Sequence, residues 1–463
     1  MEPFELRVIR QLPLAEGVYR VLAFALDSAS LQQIFEANRG KSYTKVIAFD
    51  VLAQLVSDAL FADKSGLSVF QKGRDDGTLN ASVEALYRKL ARVPPALSIA
   101  LLELTTQRLE ALFPPGVEER PLPAALADFT GIIVDGKVSK GVPHRLRPLR
   151  QAKGGLIGGR SLVAYHASQG CVLGFHGAED GDANDVRFFP DLAEKLRRRL
   201  ADTKRLWVAD RQFANLPTLT LMQQDEDAYI VRYSKAVGFT VDPERPAQHG
   251  CDDDQRPIIE EWGWLGQSQK RDGLYVRRIT VQRNDDEPLR VLTSLLDAER
   301  YPAAVLLEVY RNRIDIEYVF QRITEVFGLR RLIGTSPRAT LFQLSLCLLL
   351  YNVLQLVRGT VAAANSKSME QVSPKKLLED VREELIALNK VLAKNTIIRA
   401  LGEPLSAEEL RQLLGQRLAR WEKRWTKATR RRKRPPKPSR KSGHACAHRI
   451  LIAERQNCKK RCS

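Results

Sequence analysis

The stretch Leu206–Lys235 reads LWVADRQFANLPTLTLMQQDEDAYIVRYSK and decides the fold class. Its first part, LWVA, is a short apolar run of β type that ends at Asp210, and Ala228–Arg232 is a second such run. Between them, Leu216–Gln223 has apolar residues at helical spacing. A strand, a helix and a strand in succession predict an α/β unit whose strands join one sheet.

Further short apolar runs precede this unit: Thr130–Asp135 (TGIIVD), Ser161–His166 and Cys171–Phe175, followed by a helical pattern at Pro190–Leu200. Strands first, and then alternation with helices, predict a mixed α/β sheet. Two of the runs end in an aspartate, Asp135 after IIV and Asp210 after LWVA. A carboxylate at a strand end lies at the rim of the sheet, where a ligand can reach it, although Asp is common wherever a strand meets a turn.

Downstream, residues 235–300 are predicted to form a β-rich insertion. Charged turns separate its strand-like runs, which are Pro257–Trp262, Leu274–Gln282 and Arg290–Leu295. Two helical patterns follow, a long one at Pro302–Leu329 and an apolar one at Leu341–Leu356. The apolar one contains Gln and Asn and is short for a membrane span, so we predict a core helix and no membrane contact.

The long helical pattern carries a stripe of polar residues. Tyr310, Arg313 and Glu317 are spaced i, i+3 and i+7, which places them within roughly 60° of one another on one helix face. A carboxylate for a metal ion, with a guanidinium and a phenol for phosphate oxygens, suits a phosphodiester site. A solvated face with an i, i+4 ion pair is the simpler alternative.

The two ends of the chain differ in character. Residues 1–118 have helical periodicity and predict a helical N-terminal domain that could bind a DNA end, although the pattern fits any helix bundle. Residues 361–428 predict a helical C-terminal region, in which Ser406–Glu409 reads as a capping box. Residues 429–463, which include RPPKPSRK, predict a basic, flexible tail.

The net charge of +18 is concentrated in that tail. From Lys423 to Ser463 there are sixteen Lys or Arg residues and one acid, whereas the rest of the chain has 57 basic and 54 acidic residues. Such a segment favours a polyanionic partner but is not specific for a nucleic-acid enzyme. The six cysteines are too sparse for a secreted disulfide scaffold, and no signal segment opens the chain, so we predict a cytoplasmic protein.

Two further segments contain residue types that bind metal ions. Asp180-x-Asp182-x-Asn184 resembles the start of a calcium loop, but position six is Asp185 instead of Gly and position twelve is Asp191 instead of Glu. We therefore predict a turn that caps the next helix. The tail offers His444, Cys446, His448, Cys458 and Cys462, whose spacing matches no standard zinc finger and leaves zinc binding open.

Three blocks together resemble a known family. Tyr310-x2-Arg313-x3-Glu317, within YPAAVLLEVYRNRIDIEYVFQRITEVFGLRRL, is similar to the YREK signature of the bacterial insertion-sequence DDE transposases, the family called insertion-sequence four. Leu206–Lys235 resembles the second-aspartate block of that family, and FTGIIVDGKV stands where its first aspartate is expected. The resemblance covers about residues 125–356 in order, including a β insertion before the Glu helix.

The resemblance implies a ribonuclease-H-like α/β core over residues 119–234 and 301–360, with the β-rich insertion at 235–300 and helical regions on either side. It implies catalysis and metal binding by Asp135, Asp210 and Glu317, with two Mg²⁺ ions for which Mn²⁺ substitutes. Tyr310, Arg313 and Arg232 would contact DNA. The expected substrates are double-stranded terminal repeats and target DNA, bound by at least a dimer in a bacterial, nucleoid-associated protein.

One residue departs from the signature. The lysine expected seven residues after Glu317 is Thr324, for which Arg322, Arg330 or Arg331 could compensate. The leading hypothesis is an active DNA transposase that cleaves and transfers strands. Thr324 favours the alternative of a catalytically weakened or co-opted transposase that only binds DNA. A remoter hypothesis is a nuclease of the same fold that acts on RNA–DNA hybrids.

Overall fold

In the computed structural model, the first third of the chain is helical, as its periodicity predicts. The structure describes the chain except for residues 1–2, 41–46, 62–64, 141–146, 153–154, 253, 267–272, 283–286, 326–332, 335, 428–443 and 462–463. Helices α1–α7 span Phe4–Arg10, Pro13–Ala25, Ser28–Asn38, Phe49–Phe61, Gly66–Asp75, Val83–Leu90 and Pro95–Glu110. Asp27 and Ser82 accept hydrogen bonds from the first turns of α3 and α6, which explains where these two helices begin.

The middle of the chain forms one mixed sheet with helices on both faces. Its first strands and helices are β1 (Phe129–Lys140), β2 (Gly155–His166), β3 (Val172–Ala178), α8 (Phe189–Arg199), β4 (Lys204–Ala209), α9 (Leu216–Met222) and β5 (Ala228–Arg232). Strands β1, β2 and β3 pair antiparallel, whereas β1, β4 and β5 are parallel neighbours. The order across this half is therefore β3-β2-β1-β4-β5, and the mixed α/β prediction is confirmed.

The β-rich segment extends this sheet instead of forming a separate one. It contains β6 (Phe239–Val241), β7 (Gln248–Cys251), β8 (Pro257–Leu265), β9 (Leu274–Val281) and β10 (Leu289–Thr293). Strand β10 pairs antiparallel with β5, and β9, β8 and β6 continue outward from it. Trp262 of β8 is fully buried, and its indole donates to the carbonyl of Leu296 at 2.9 Å, so it serves the core of this segment.

The remaining helices follow the sheet. They are α10 (Ala303–Arg311), α11 (Ile314–Glu325), α12 (Pro337–Ala364), α13 (Pro374–Val391), α14 (Lys394–Leu401) and α15 (Ala407–Arg417). The Ser406–Glu409 capping box is present at the start of α15. Helix α12 is long and apolar enough to span a membrane, but 94% of its apolar window is buried inside the protein, as expected for a core helix.

Helix α12 lies in a large apolar core shared by the N-terminal helices, the C-terminal helices and one face of the sheet. The opposite face packs against α8 and α9. The domain boundary at residue 118 stays a prediction, and the packing adds that helices on both sides of it share one core. Strand residues therefore alternate between two cores, with Ile133 facing α12 and Val134 facing α8.

The prediction that all of residues 429–463 form a flexible tail is wrong for its last part, while residues 428–443 lie outside the described residues. Strand β11 (His444–Cys446) pairs in parallel with the edge of β2, and α16 (Ala447–Arg461) follows it. Leu149, Leu156 and Ala447 form a small apolar core beneath them. The first residues of β2, Gly155–Ile157, lie beyond the part of the strand that pairs with β3, and the backbone of β11 pairs with them.

Candidate active site

The two predicted aspartates follow register-matched positions on neighbouring parallel strands. Ile133 of β1 pairs with Val208 of β4, so continuing the register by two residues places Asp135 opposite Asp210. Ala209 of β4 pairs with Val231 of β5, and the same extension places Arg232 beside Asp210. Parallel neighbours lie about 4.8 Å apart, so the three residues form one row where the parallel pairing of β1, β4 and β5 ends, on the face covered by α10–α12. Strand β1 itself continues to Lys140 because it goes on pairing with β2, so the prediction that this strand ends at Asp135 is wrong.

Glu317 reaches this row through Arg313. The Arg313 guanidinium donates to Glu317 Oε1 at 2.9 Å and to Asp135 Oδ2 at 3.3 Å. Arg313 and Asp135 are mostly buried, with 17% and 18% of their side chains exposed, whereas Glu317 is 52% exposed. The ion pair of the simpler alternative therefore exists, but Arg313 also links Glu317 of α11 to Asp135 of β1.

The prediction of one continuous helix through this region is wrong. Helix α10 ends at Arg311 and α11 begins at Ile314, with Asn312 and Arg313 in a turn between them. The amide of Arg313 donates to the carbonyl of Tyr310 at 3.0 Å, a three-residue spacing that tightens the chain. This break separates Tyr310 and Glu317 onto two helices and points the Arg313 side chain at Asp135.

Burial raises the pKa of the Asp135 carboxyl to about 6, while the Arg313 guanidinium and the amide of Gly136 act in the opposite direction. The charges of Asp210 and Glu317 contribute smaller upward effects, which shows that all three acids lie within electrostatic reach of one another. Burial also raises the pKa of Tyr310, whose phenol is close to Asp210, Arg232 and Arg313. A cation is therefore favoured among these side chains.

The acids are close without forming a single tight cage. Within the described ranges, the one set of three or more His, Cys, Asp or Glu ligand atoms that all lie within 4.8 Å of each other is Asp180, Asp182 and Cys446. Arg449 already pairs with both aspartates of that set, at 3.2 and 3.4 Å. Asn184 caps the short 3₁₀ helix that follows, which confirms the predicted capping turn.

Residues 127–353 match a family model described as transposase DDE domain. This part of the chain is a transposase DDE domain. The DDE domain covers nearly the whole span of about 125–356 over which the sequence resembles such enzymes, and it includes Asp135, Asp210 and Glu317. The match does not separate the insertion-sequence-four family from other DDE transposases, and DDE transposases as a class depend on divalent metal ions.

A solved structure of a piggyBac transposase synaptic complex with hairpin DNA is similar to this chain. It is 10% identical, the alignment covers 89% of this chain and 85% of that chain, and the TM-score is 0.39. A comparison with curated proteins found no match.

The structure brings Lys137 of the DDE domain to the residue that departs from the YREK signature. Lys137 lies two residues after Asp135 on the same face of β1, and its ammonium donates to Thr324 Oγ1 at 3.1 Å. It also lies 5.1 Å from the ring centre of Phe320. Sequence reasoning did not single out Lys137, because its partner is 187 positions away along the chain.

The arginines considered as substitutes for that lysine have different positions. Arg322 lines a small pocket with Tyr351 and Arg358, on the side of α11 away from Glu317. Arg330 and Arg331 lie outside the described residues. Among the residues that the structure describes, Lys137 is thus the cation that approaches position 324.

Proposed function

We propose that this protein is a DNA transposase that cleaves strands at the ends of a mobile element and transfers the 3′-hydroxyl into target DNA. The observation that carries the proposal is the alignment of Asp135 and Asp210 where the parallel pairing of β1 and β4 ends, with Glu317 linked to Asp135 through Arg313. The DDE domain supports the same class of protein.

The proposed core is ribonuclease-H-like. Three antiparallel strands followed by two parallel ones, in the order β3-β2-β1-β4-β5, support this proposal. The β-rich strands that extend the sheet, and the helices at either end of the chain, surround this core. The more specific proposal of the insertion-sequence-four family rests on Tyr310, Arg313 and Glu317.

The donor set suits two Mg²⁺ ions, for which Mn²⁺ substitutes. Carboxylate oxygens are the ligands that Mg²⁺ prefers, and a desolvated Asp135 favours a neighbouring cation. Held by Asp135, Asp210 and Glu317, such ions would activate the attacking oxygen and stabilise charge on the leaving oxygen of the phosphodiester. Because each ion needs only some of the three acids, a pair of ions does not require all three carboxylates to lie within 4.8 Å of one another.

The neighbouring side chains would hold the DNA backbone. Arg313 presents a planar guanidinium beside Asp135, suited to phosphate oxygens, and Tyr310 can donate its phenol to the same group. Arg232 lies beside Asp210 at the end of β5, where its guanidinium suits a phosphate. The partners are double-stranded terminal repeats and target DNA, bound by a dimer of a cytoplasmic, nucleoid-associated protein.

The test of this function is metal-dependent cleavage of DNA that carries the element's own ends. The full-length protein is incubated with such a duplex and with a scrambled duplex, in Mg²⁺, in Mn²⁺ and in chelator. We expect nicks with a free 3′-hydroxyl at the element ends in either metal, and joining of those ends to target DNA. End binding without any cleavage product in either metal would instead favour the weakened, DNA-binding alternative that Thr324 suggests.

Transferring the lysine from position 137 to position 324 tests whether Lys137 takes the place of the lysine of the YREK signature. Lys137→Ala is expected to weaken binding to end DNA about tenfold and to reduce the salt dependence of binding by about one phosphate contact. Adding Thr324→Lys to that variant should restore both quantities, since the new ammonium lies next to the lost one. Fluorescence anisotropy at several salt concentrations measures both.

The control for this swap is Lys375→Ala, which removes an 84% exposed lysine of α13 and should leave binding and its salt slope unchanged. If Lys137→Ala binds end DNA with the wild-type salt slope, Lys137 does not contact phosphate.

A further inference from the structure

Asp185 is a buried carboxylate that the proposed chemistry does not use. Only 1% of it is exposed, and it begins the short 3₁₀ helix after the Asp180–Asn184 turn. Burial of a charge is costly unless it is paired and hydrogen-bonded, so its partners show what it stabilises. Those partners lie on β1, on β2 and in the turn after β4.

The first two partners lie on β1 and β2. Gly136, the residue after Asp135, packs directly against the carboxylate: a Cβ built on Gly136 would lie 1.9 Å from Asp185 Oδ2. Arg160 of β2 holds the same carboxylate through two guanidinium nitrogens, with Nη2 donating to Oδ2 at 2.6 Å. Gly136 in turn donates its amide to Asp135 Oδ1 at 2.9 Å.

The third partner follows β4. Gln212 lies two residues after Asp210, and its amide donates to Asp185 Oδ2 at 3.1 Å. The Asp210 carboxylate caps the same short turn by accepting from the amide of Arg211 at 2.7 Å. Asp185 therefore touches the segment next to each of the two aspartates, from the side of the core that contains Phe189 and Phe213.

We propose that Asp185 is a positioning residue that braces β1 at Gly136 and the turn after β4 at Gln212, so that Asp135 and Asp210 face the same cations. It acts from behind the sheet, through Gly136 and Gln212, and does not itself contact the metal ions. It also neutralises Arg160, whose positive charge lies within electrostatic reach of Asp135. This inference rests on the proposed function.

The experiment is Mn²⁺ binding by the full-length protein, followed by electron paramagnetic resonance below the unfolding temperature of every variant. Asp185→Asn is expected to weaken Mn²⁺ binding about tenfold or more, the effect typical of losing an outer-shell partner of a metal site. Gln212→Leu removes one of the three contacts and keeps the buried ion pair of Arg160 with Asp185, so it should weaken Mn²⁺ binding less. This second variant tests the proposal if Asp185→Asn does not fold. Asp202→Asn, which replaces an exposed acid in the turn before β4, is the matched control and should bind as wild type.

The outcomes separate this inference from the proposed function. Loss of Mn²⁺ binding in Asp210→Asn together with unchanged binding in Asp185→Asn and Gln212→Leu would overturn the brace alone. Mn²⁺ binding that Asp210→Asn leaves unaffected would overturn the proposed metal site and the brace with it. A lower unfolding temperature in Asp185→Asn without weaker Mn²⁺ binding would assign Asp185 to stability only, and would also overturn the brace.

Discussion

Asp210→Asn is expected to reduce strand cleavage at the element ends about a thousandfold. The amide keeps the shape of the side chain and can still accept the hydrogen bond from the amide of Arg211, so the turn after β4 is retained. What is lost is the negative charge that helps to hold a divalent ion beside the scissile phosphate. Charge stabilisation by such an ion contributes several kcal/mol to the transition state, and about 4 kcal/mol corresponds to a thousandfold in rate.

Single-turnover cleavage of end DNA, with binding measured separately, checks this result. Binding to end DNA should be at least as tight as in wild type, because a negative charge beside the phosphates is removed. Asp202→Asn, an exposed acid in the turn before β4, is the matched control and should cut normally. Normal cutting by Asp210→Asn would show that the site has been assigned to the wrong residues.

Asp135→Asn is expected to abolish cleavage and, in the absence of metal, to make the protein more stable by up to about 3 kcal/mol at pH 7. The upper bound follows from the rise of the Asp135 pKa from 3.8 to about 6 on burial, since each pKa unit is worth about 1.4 kcal/mol. The neutral amide avoids the cost of burying a charge and can still accept from Gly136 and Arg313.

The stability difference between Asp135→Asn and wild type is expected to depend on pH. Because the folded pKa lies above the unfolded value, the ionised carboxylate destabilises the fold fully above about pH 6 and not at all below about pH 4. The stability difference between Asp135→Asn and wild type should therefore be largest near pH 7 and disappear near pH 4. Urea unfolding in chelator at these two pH values measures it. A variant that is no more stable than wild type at pH 7 would contradict a buried, desolvated Asp135.

This stability gain has a functional meaning. A desolvated carboxylate beside Asp210 and Glu317 is unfavourable without a cation and favourable with one, so folding prepares the site for a divalent ion. Arg313 offsets part of the charge through its contacts with Asp135 and Glu317. The same guanidinium is suited to a phosphate. A bound metal ion would take over the carboxylates of Asp135 and Glu317, and a DNA phosphate would take over the guanidinium of Arg313.

Much of this architecture could be read from local patterns along the chain. Strand β5 was predicted with its observed bounds and β4 with Asp210 next to its end, whereas β1 was predicted to end at Asp135 and continues to Lys140. The capping box of α15 and the buried position of α12 were also predictable, since each depends on neighbouring residues or on a continuous apolar run. The DDE domain was recognisable because its three blocks keep their order and spacing.

Other features depend on partners that are distant in the chain. The break between α10 and α11 interrupts an otherwise good helical pattern, and it accompanies the contact of Arg313 with Asp135, 178 positions earlier. The docking of β11 on β2 was unpredictable for the same reason, because it depends on a free sheet edge and not on the sequence of the tail.

The types and order of the strands and helices, and the identity of the carboxylates, thus follow from periodicity and spacing that neighbouring residues impose on one another. Which side chains surround those carboxylates depends on the tertiary structure. Lys137 meets Thr324 because α11 packs on β1, and Asp185 meets Gly136 because the 3₁₀ helix Asp185–Phe188 packs on the sheet. Contacts of that kind depend on three-dimensional packing, which leaves no periodic trace in a single sequence.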